Sequence, residues 1–158
     1  MEQLLFRPMK KIKKAAVLFI LAFCLIGCSN TYAKEEYESL EKLASEGDRY
    51  SKEGSVFNPI EGGYSFTVSE FDGRQTLHTW HLTEDKELSM EIICSVTSGT
   101  GKLVHVDANG NVTTLVECDR DTSAAVIRTV SLKQGRNDIK FVGYDCKNLD
   151  LTTYFEEP

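Results

Sequence analysis

The sequence predicts an all-β fold, an antiparallel β-sandwich of about eight strands preceded by a short helical or flexible tether. Three observations carry that prediction. From Tyr64 onward apolar and polar residues alternate with a period of two, the spacing that turns one face of a strand toward a core. Turn-forming residues such as Asp72-Gly73 and Asn109-Gly110 interrupt the alternation every 8 to 15 residues, as in sandwiches and barrels. No crossover helix separates the strands, so a parallel sheet is excluded.

The elements follow in order. YSFTVSEF (64–71) sets Tyr64, Phe66 and Val68 on one face, and QTLHTWHL (75–82) resumes after Asp72-Gly73. LSMEIICSV (88–96) aligns Leu88, Met90, Ile92, Cys94 and Val96 as a buried stripe. KLVHVD (102–107) leads into Asn109-Gly110, the strongest hairpin signal in the chain, and VTTLVE (112–117) returns from it. AAVIRTVSL (124–132), NDIKFVGY (137–144) and LDLTTYFE (149–156) complete the set. Short strands with tight turns and no internal repeat suit a jelly-roll arrangement.

Ahead of this domain, 63–158, lie two segments of different character. Residues 1–28 contain four lysines (Lys10, Lys11, Lys13, Lys14) and then thirteen uncharged residues, Ala15 to Gly27. A membrane-spanning helix needs roughly 20 apolar residues, so the run is short for a span and fits a secretory signal. Met9 as well as Met1 is placed to start it. Leu25-Ile26-Gly27-Cys28 resembles the lipobox of bacterial lipoproteins. The resemblance implies cleavage after Gly27 and lipidation of Cys28, the diacylglyceryl group then tying the chain to the cell membrane on its outer side. Residues 29–62 read as an acidic tether, with Tyr37, Leu40, Leu43 and Ala44 forming a narrow helical stripe and Glu38 four residues before Lys42. Asn58-Pro59 and Gly62-Gly63 mark the domain boundary.

The signal segment holds five of the 18 basic residues and one of the 24 acidic ones, leaving 13 against 23 and a net charge near −10. Such a surface repels nucleic acid and anionic lipid, so no nucleic-acid partner is expected. Of five cysteines, Cys94, Cys118 and Cys146 remain in the domain. Cys94 falls on the apolar face of its strand and reads as a buried thiol. Cys118 and Cys146 sit in polar stretches, ECDRD and YDCKN, and would form a disulfide if those loops share one end of the fold.

Catalytic and metal chemistry find little support in the motifs. His78 and His81 are three apart in a strand and point to opposite faces; His105 lies on the polar side of its own strand. Asp107-Ala108-Asn109-Gly110-Asn111 has the start of a calcium loop, but Val112 replaces the needed glycine and Cys118 the closing glutamate. No nucleophile elbow is present. No catalytic residue, metal ligand or cofactor is therefore assigned. The rings are more suggestive, because exposed aromatic side chains stack on sugar faces or fill protein hot spots. Trp80, Tyr144 and Tyr154 are the candidate ligand-binding residues, with core packing as the competing role for Trp80.

Val130-Ser131-Leu132-Lys133-Gln134-Gly135-Arg136-Asn137-Asp138-Ile139, followed by Leu149-Asp150, is similar to the closing strands of galactose-binding-like jelly rolls, a group that includes many carbohydrate-binding modules. The resemblance covers about 22 of 158 residues and implies the fold; no sugar- or calcium-binding residue of that family has a counterpart here. The layout of lipobox, charged segment and sandwich is similar to that of small lipoproteins of Gram-positive bacteria. The expected role is non-covalent binding at the cell surface, of a glycan or cell-wall polymer, with an envelope protein as the other partner class.

Overall fold

A computed structural model describes residues 28–118, 120 and 124–156. The proposed signal segment and the cleavage after Gly27 lie outside the described residues, as does the Cys28 side chain. The element order is α1 (Cys28–Glu38), α2 (Leu40–Ala44), β1 (Arg49–Glu53), β2 (Val56–Ile60), β3 (Gly63–Leu82), β4 (Lys86–Ser95), β5 (Ser98–Val106), β6 (Val112–Cys118), β7 (Val126–Leu132) and β8 (Gly135–Phe155). Every strand pairing is antiparallel. The all-β class stands. Among the described residues no helix is long and apolar enough to cross a membrane.

The described residues form eight strands, but not the eight read from the sequence. Residues 64–71 and 75–82 are one strand, β3, and residues 137–144 and 149–156 are one strand, β8. Two shifts in register punctuate their pairing, between Phe71 and Gly73 and between Thr76 and His78. An extra residue on one strand bends it and sharpens its twist, so Asp72-Gly73 bends β3 without reversing the chain. Gly73 has φ 108°, and a Cβ there would lie 2.2 Å from the Arg49 carbonyl oxygen.

Folded at this bend, β3 and β8 each serve both layers. Their outer ends pair with β2 and β4, and β4 carries β7; the other halves carry β5, which carries β6. Between the layers lie Phe66, Met90, Ile92, Leu103, Leu132, Ile139, Phe141 and Leu151, all fully buried. The sequence motif now has a physical account. Val130 and Leu132 face this core, and the buried Asn137 ties the β7–β8 turn by donating to the carbonyls of Lys133 (2.6 Å) and Gly135 (3.2 Å). The Asn137 Oδ1 accepts from Lys133 N–H (2.9 Å), and His105 Nε2 sits 3.1 Å from it. His105 is thus buried on the inner face, contrary to its expected polar position, because β5 is covered on both sides.

The cover on the outside is the helical segment. Leu43 packs with Val104, Val106 and Val142, with Tyr37 and Ala44 at the margin. Leu40 leaves the expected stripe: the helix breaks at Ser39, whose hydroxyl caps α2 through Lys42 N–H, and Leu40 is turned to solvent. The break also re-pairs the charges, joining Lys34 to Glu38 (3.7 Å) and Lys42 to Glu35 (2.7 Å) in place of Glu38 and Lys42. A buried ion pair and buried hydrogen bonds latch the segment down. Arg74 binds Glu36 (3.2 Å) and donates to the Ser45 carbonyl (2.9 Å), while Lys140 donates to the carbonyls of Leu43 (3.2 Å) and Ser45. The folded unit therefore extends well ahead of residue 63: the helices, β1 and β2 belong to it, and Gly62-Gly63 closes a β2–β3 hairpin.

The cysteine pairing also differs from the expectation. Cys94 of β4 and Cys118 of β6 form the disulfide (Cα–Cα 5.7 Å), joining the two layers, and Cys146 is a buried free thiol. The proposed Cys118–Cys146 bridge is corrected accordingly. The alternation that places Cys94 inward aims it across the core at β6, while Cys146 is held by β8 beneath Thr100, whose carbonyl accepts from its thiol (2.8 Å). Burial pushes the Cys146 thiol up to about 12, with the Asp72 carboxylate adding to the effect.

Candidate functional site

Because β3 and β8 are both bent, the sandwich has two unlike ends. At the bend, Phe71, Phe141 and Cys146 close around Gly101 and Gly143. At the opposite end the layers part, and a cleft of about 620 Å³ opens between them. Its walls are Phe57, Pro59 and Ile60 of β2, Tyr64 at the start of β3, Leu77 and His78 farther along β3, and Phe155 at the end of β8.

Local sequence explains each wall. β2 pairs only with β3 among the described residues, and Pro59, lacking an N–H, is suited to such an edge. The register sets Phe57 opposite Phe66 and Pro59 opposite Tyr64, so both lean over the inner face. The second register shift brings His78 under Tyr64, their rings parallel within 10° at 6.3 Å. His78 also meets Trp80 (4.3 Å) and Phe155 (5.5 Å), and Phe57 stacks on Tyr64 (5.3 Å). The result is a continuous file of rings from a 43%-exposed Phe57 to a buried Trp80.

Polar groups in the cleft are few. The Tyr64 hydroxyl is buried and has no hydrogen-bond partner among the described residues. Burial raises its phenol above the usual range, an effect the neighbouring Thr153 hydroxyl offsets only in part. The carboxylate-bearing Glu156 stands at the rim, and the Gly62 carbonyl accepts from Phe155 N–H (2.6 Å). A shallower depression of about 390 Å³ shares Gly62, Phe155 and Glu156 with the cleft and continues onto the outer face of the sheet. There Gly63, Tyr154, Glu91 and Ile127 form one row across β3, β8, β4 and β7. Tyr154 is 42% exposed beside the Glu91 carboxylate. An aromatic face next to a carboxylate can stack on a sugar ring and accept from its hydroxyls.

The three rings singled out from the sequence have different fates. Tyr154 is exposed. Trp80 is 6% exposed and packed on Phe155 (5.3 Å), so it belongs to the core and is not a stacking platform. Tyr144 is half-buried beneath α1, edge-on to Tyr37 (5.3 Å), and is likewise not an open ligand surface. Phe57, Pro59 and Phe155 were not anticipated as site residues. The available signal was Ile60-Glu61-Gly62-Gly63, a two-residue hairpin loop between alternating segments, which would have recruited β2 into the sheet.

Other side chains that invited a chemical reading are employed structurally. The Asp107 carboxylate accepts from Asn109 N–H (2.8 Å), Asn111 N–H (2.9 Å) and Asn111 Nδ2 (2.8 Å) in the β5–β6 turn. Against the cost of burial, these bonds hold its carboxyl below the usual range. His81 is exposed, apart from the ring file. Among the described residues no group of three or more His, Cys, Asp or Glu side chains comes together in a metal-holding arrangement.

No protein-family model and no curated protein matches the chain. Solved structures do. The carbohydrate-binding module CBM6cm-2 from Cellvibrio mixtus lichenase 5A, in complex with cellotriose, is 12% identical with a TM-score of 0.37, covering 68% of this chain and 90% of its own. The module CBM35 from Cellvibrio japonicus Abf62 is 17% identical with a TM-score of 0.34, covering 65% and 75%. TmCBM61, in complex with β-1,4-galactotriose, is 13% identical with a TM-score of 0.36, covering 72% and 90%. At these values no residue correspondence is drawn, and the site rests on its own geometry.

Proposed function

We propose that the protein is a non-catalytic binding module, displayed outside the cytoplasm on a lipid anchor at Cys28, that holds a glycan or cell-wall polymer at the open end of its sandwich. The observation that carries this reading is the exposed Phe57 at the head of a file of rings lining a concave cleft. Sugar rings present C–H faces that aromatic side chains cover, and hydroxyls that a carboxylate would meet. Glu156 supplies that group at the rim, and Tyr154 with Glu91 extends the same chemistry along the outer face.

Trp80 reports on the cleft through His78. Titration of the protein with soluble cell-wall and other polysaccharide fragments should change Trp80 emission saturably for one glycan class. Phe57→Ala should weaken that binding about tenfold, equivalent to roughly 1.4 kcal/mol. A calorimetric and fluorescence screen silent for every glycan would sink the reading.

A second reading has its own observation. Ile127 is 68% exposed on β7, which pairs only with β4 among the described residues, and an uncovered strand of this kind accepts a partner strand. An envelope protein bound there would be released by Ile127→Asp, whereas Phe57→Ala in the cleft would leave it bound.

A further inference from the structure

The first turns of α1 are fastened near the bend of β3, away from the end where the cleft opens. Helix α1 begins at Cys28, four residues before Tyr32, or roughly 6 Å along a helix axis. Tyr32 is already fastened to the sheet. Its hydroxyl donates to the Arg49 carbonyl (2.7 Å), and the Arg49 guanidinium lies 4.0 Å from its ring centroid. Ala33 and Glu36 are buried in the following turn. A 34-residue tether would let the domain turn freely; a helix docked one turn beyond the lipidated residue does not.

The surface beside that turn is suited to a membrane interface. β1 pairs with residues 70–74 at the bend of β3, and its Tyr50 is exposed above Phe71, with Lys52 Nζ 4.9 Å from the Tyr50 ring centroid. Amphipathic rings joined to cations settle at the headgroup level of bilayers. Of the neighbouring carboxylates, Glu70 pairs with Lys147 (2.7 Å), Asp72 accepts from Asp145 N–H (2.7 Å) and Glu36 pairs with Arg74 and Arg49 (3.8 Å), while Glu53 at the end of β1 is exposed. The helix that begins at Cys28 brings this surface, rather than the cleft, toward the anchored end.

We infer that Tyr32, Arg49, Tyr50 and Lys52, beside the first turn of α1, form a docking surface for phospholipid headgroups, so that the aromatic cleft is held pointing away from the membrane. The inference rests on the lipid anchor at Cys28 proposed above. From Gly73 at the bend to Trp80 at the open end, β3 advances seven residues, roughly 23 Å.

The test uses the full chain, produced in a bacterium that lipidates it. The purified protein is placed in phosphatidylethanolamine–phosphatidylglycerol vesicles brominated near the headgroup end of the acyl chains. Mass spectrometry first establishes whether Cys28 is acylated. In the acylated wild type Trp80 emission should be unquenched by bromine. Tyr50→Trp should add emission that bromine quenches, and Phe57→Trp should add emission that it does not. Acylated protein whose Tyr50→Trp emission is unquenched would overturn the docking while leaving the anchor standing. Quenching of wild-type Trp80, or of Phe57→Trp, would overturn the orientation. Protein without the acyl group would remove the anchor, and the docking with it.

Discussion

The two ends of the sandwich are made from the same pair of strands and solve opposite problems. At the bend, β3 and β8 turn through small residues, and the space left by Gly101 and Gly143 is filled by Phe141, Phe71 and the Cys146 thiol, with the Cys94–Cys118 bridge tying the layers. At the open end, large rings meet without closing the gap, and one of them, Phe57, remains exposed. The comparison teaches where the fold is secured and where it is left accessible: substitutions at the bend should act on stability, and substitutions at the cleft on binding.

The largest expected effect tests the latch that holds the helical segment near the bend. Arg74→Leu leaves the buried Glu36 carboxylate only the exposed Arg49, 3.8 Å away, and should cost about 3–5 kcal/mol, read as a lower midpoint in urea denaturation. An unchanged midpoint would mean that the helices are not docked. Removing the bridge by Cys94→Ser with Cys118→Ser comes next. Its 24-residue separation gives about 3–4 kcal/mol from loop entropy. Non-reducing peptide mapping should recover Cys94 linked to Cys118 and Cys146 alkylated only after unfolding; recovery of a Cys118–Cys146 peptide would refute the bend's construction.

Gly143→Ala sharpens the packing argument. The added methyl would sit 2.6 Å from Cys146 Sγ and 3.2 Å from the Phe141 ring, an overpacking worth about 1–3 kcal/mol. Cys146→Ala in the same chain should recover part of that loss, and a strictly additive double variant would contradict the contact.

A smaller effect is pH-dependent. Burial, opposed by the Asn137 hydrogen bond, depresses the His105 pKa. The unfolded residue titrates near 6.5, so below that pH unfolding takes up a proton that the folded imidazole refuses. Stability is therefore full above about pH 6.5 and falls as pH drops toward the folded-state value. His105→Gln should flatten the melting temperature between about pH 7.5 and 5.5; an undiminished slope would assign it to other groups. Smallest is Phe57→Ala, which should lower stability by about 1 kcal/mol or less while removing the leading ring of the cleft. A cost as large as that of the bend variants would make Phe57 a core residue and erase the contrast.

Much of the layering was legible because strand alternation is local. Tyr64, Phe66 and Val68, the Leu88-to-Val96 stripe, and Val130 and Leu132 all face the core as the period of two requires. Helix propensity over 31–44 was legible too, but its apolar stripe was not, since capping by Ser39 rotates Leu40 outward. The cleft was largely hidden. Trp80, the most conspicuous aromatic residue in the sequence, is in the core, while Phe57 lay in a stretch read as tether because Asn58-Pro59 and Gly62-Gly63 looked like a boundary. Proline and glycine mark an edge hairpin as readily as a linker, and only pairing with β3 distinguishes them.

The sequence by itself determined the all-β class, the inward faces of most strands and the β5–β6 hairpin, since each follows from side chains close together along the chain. The tertiary structure alone decided that two pairs of segments are single bent strands, that Cys94 and not Cys146 meets Cys118, and that Phe57, Tyr64, His78 and Phe155 share one cleft. Those outcomes depend on register between residues as much as 91 positions apart, as with Gly63 and Tyr154. Which residues meet at that range is set by how the bulges bend the sheet and how the core fills, and no local pattern encodes either.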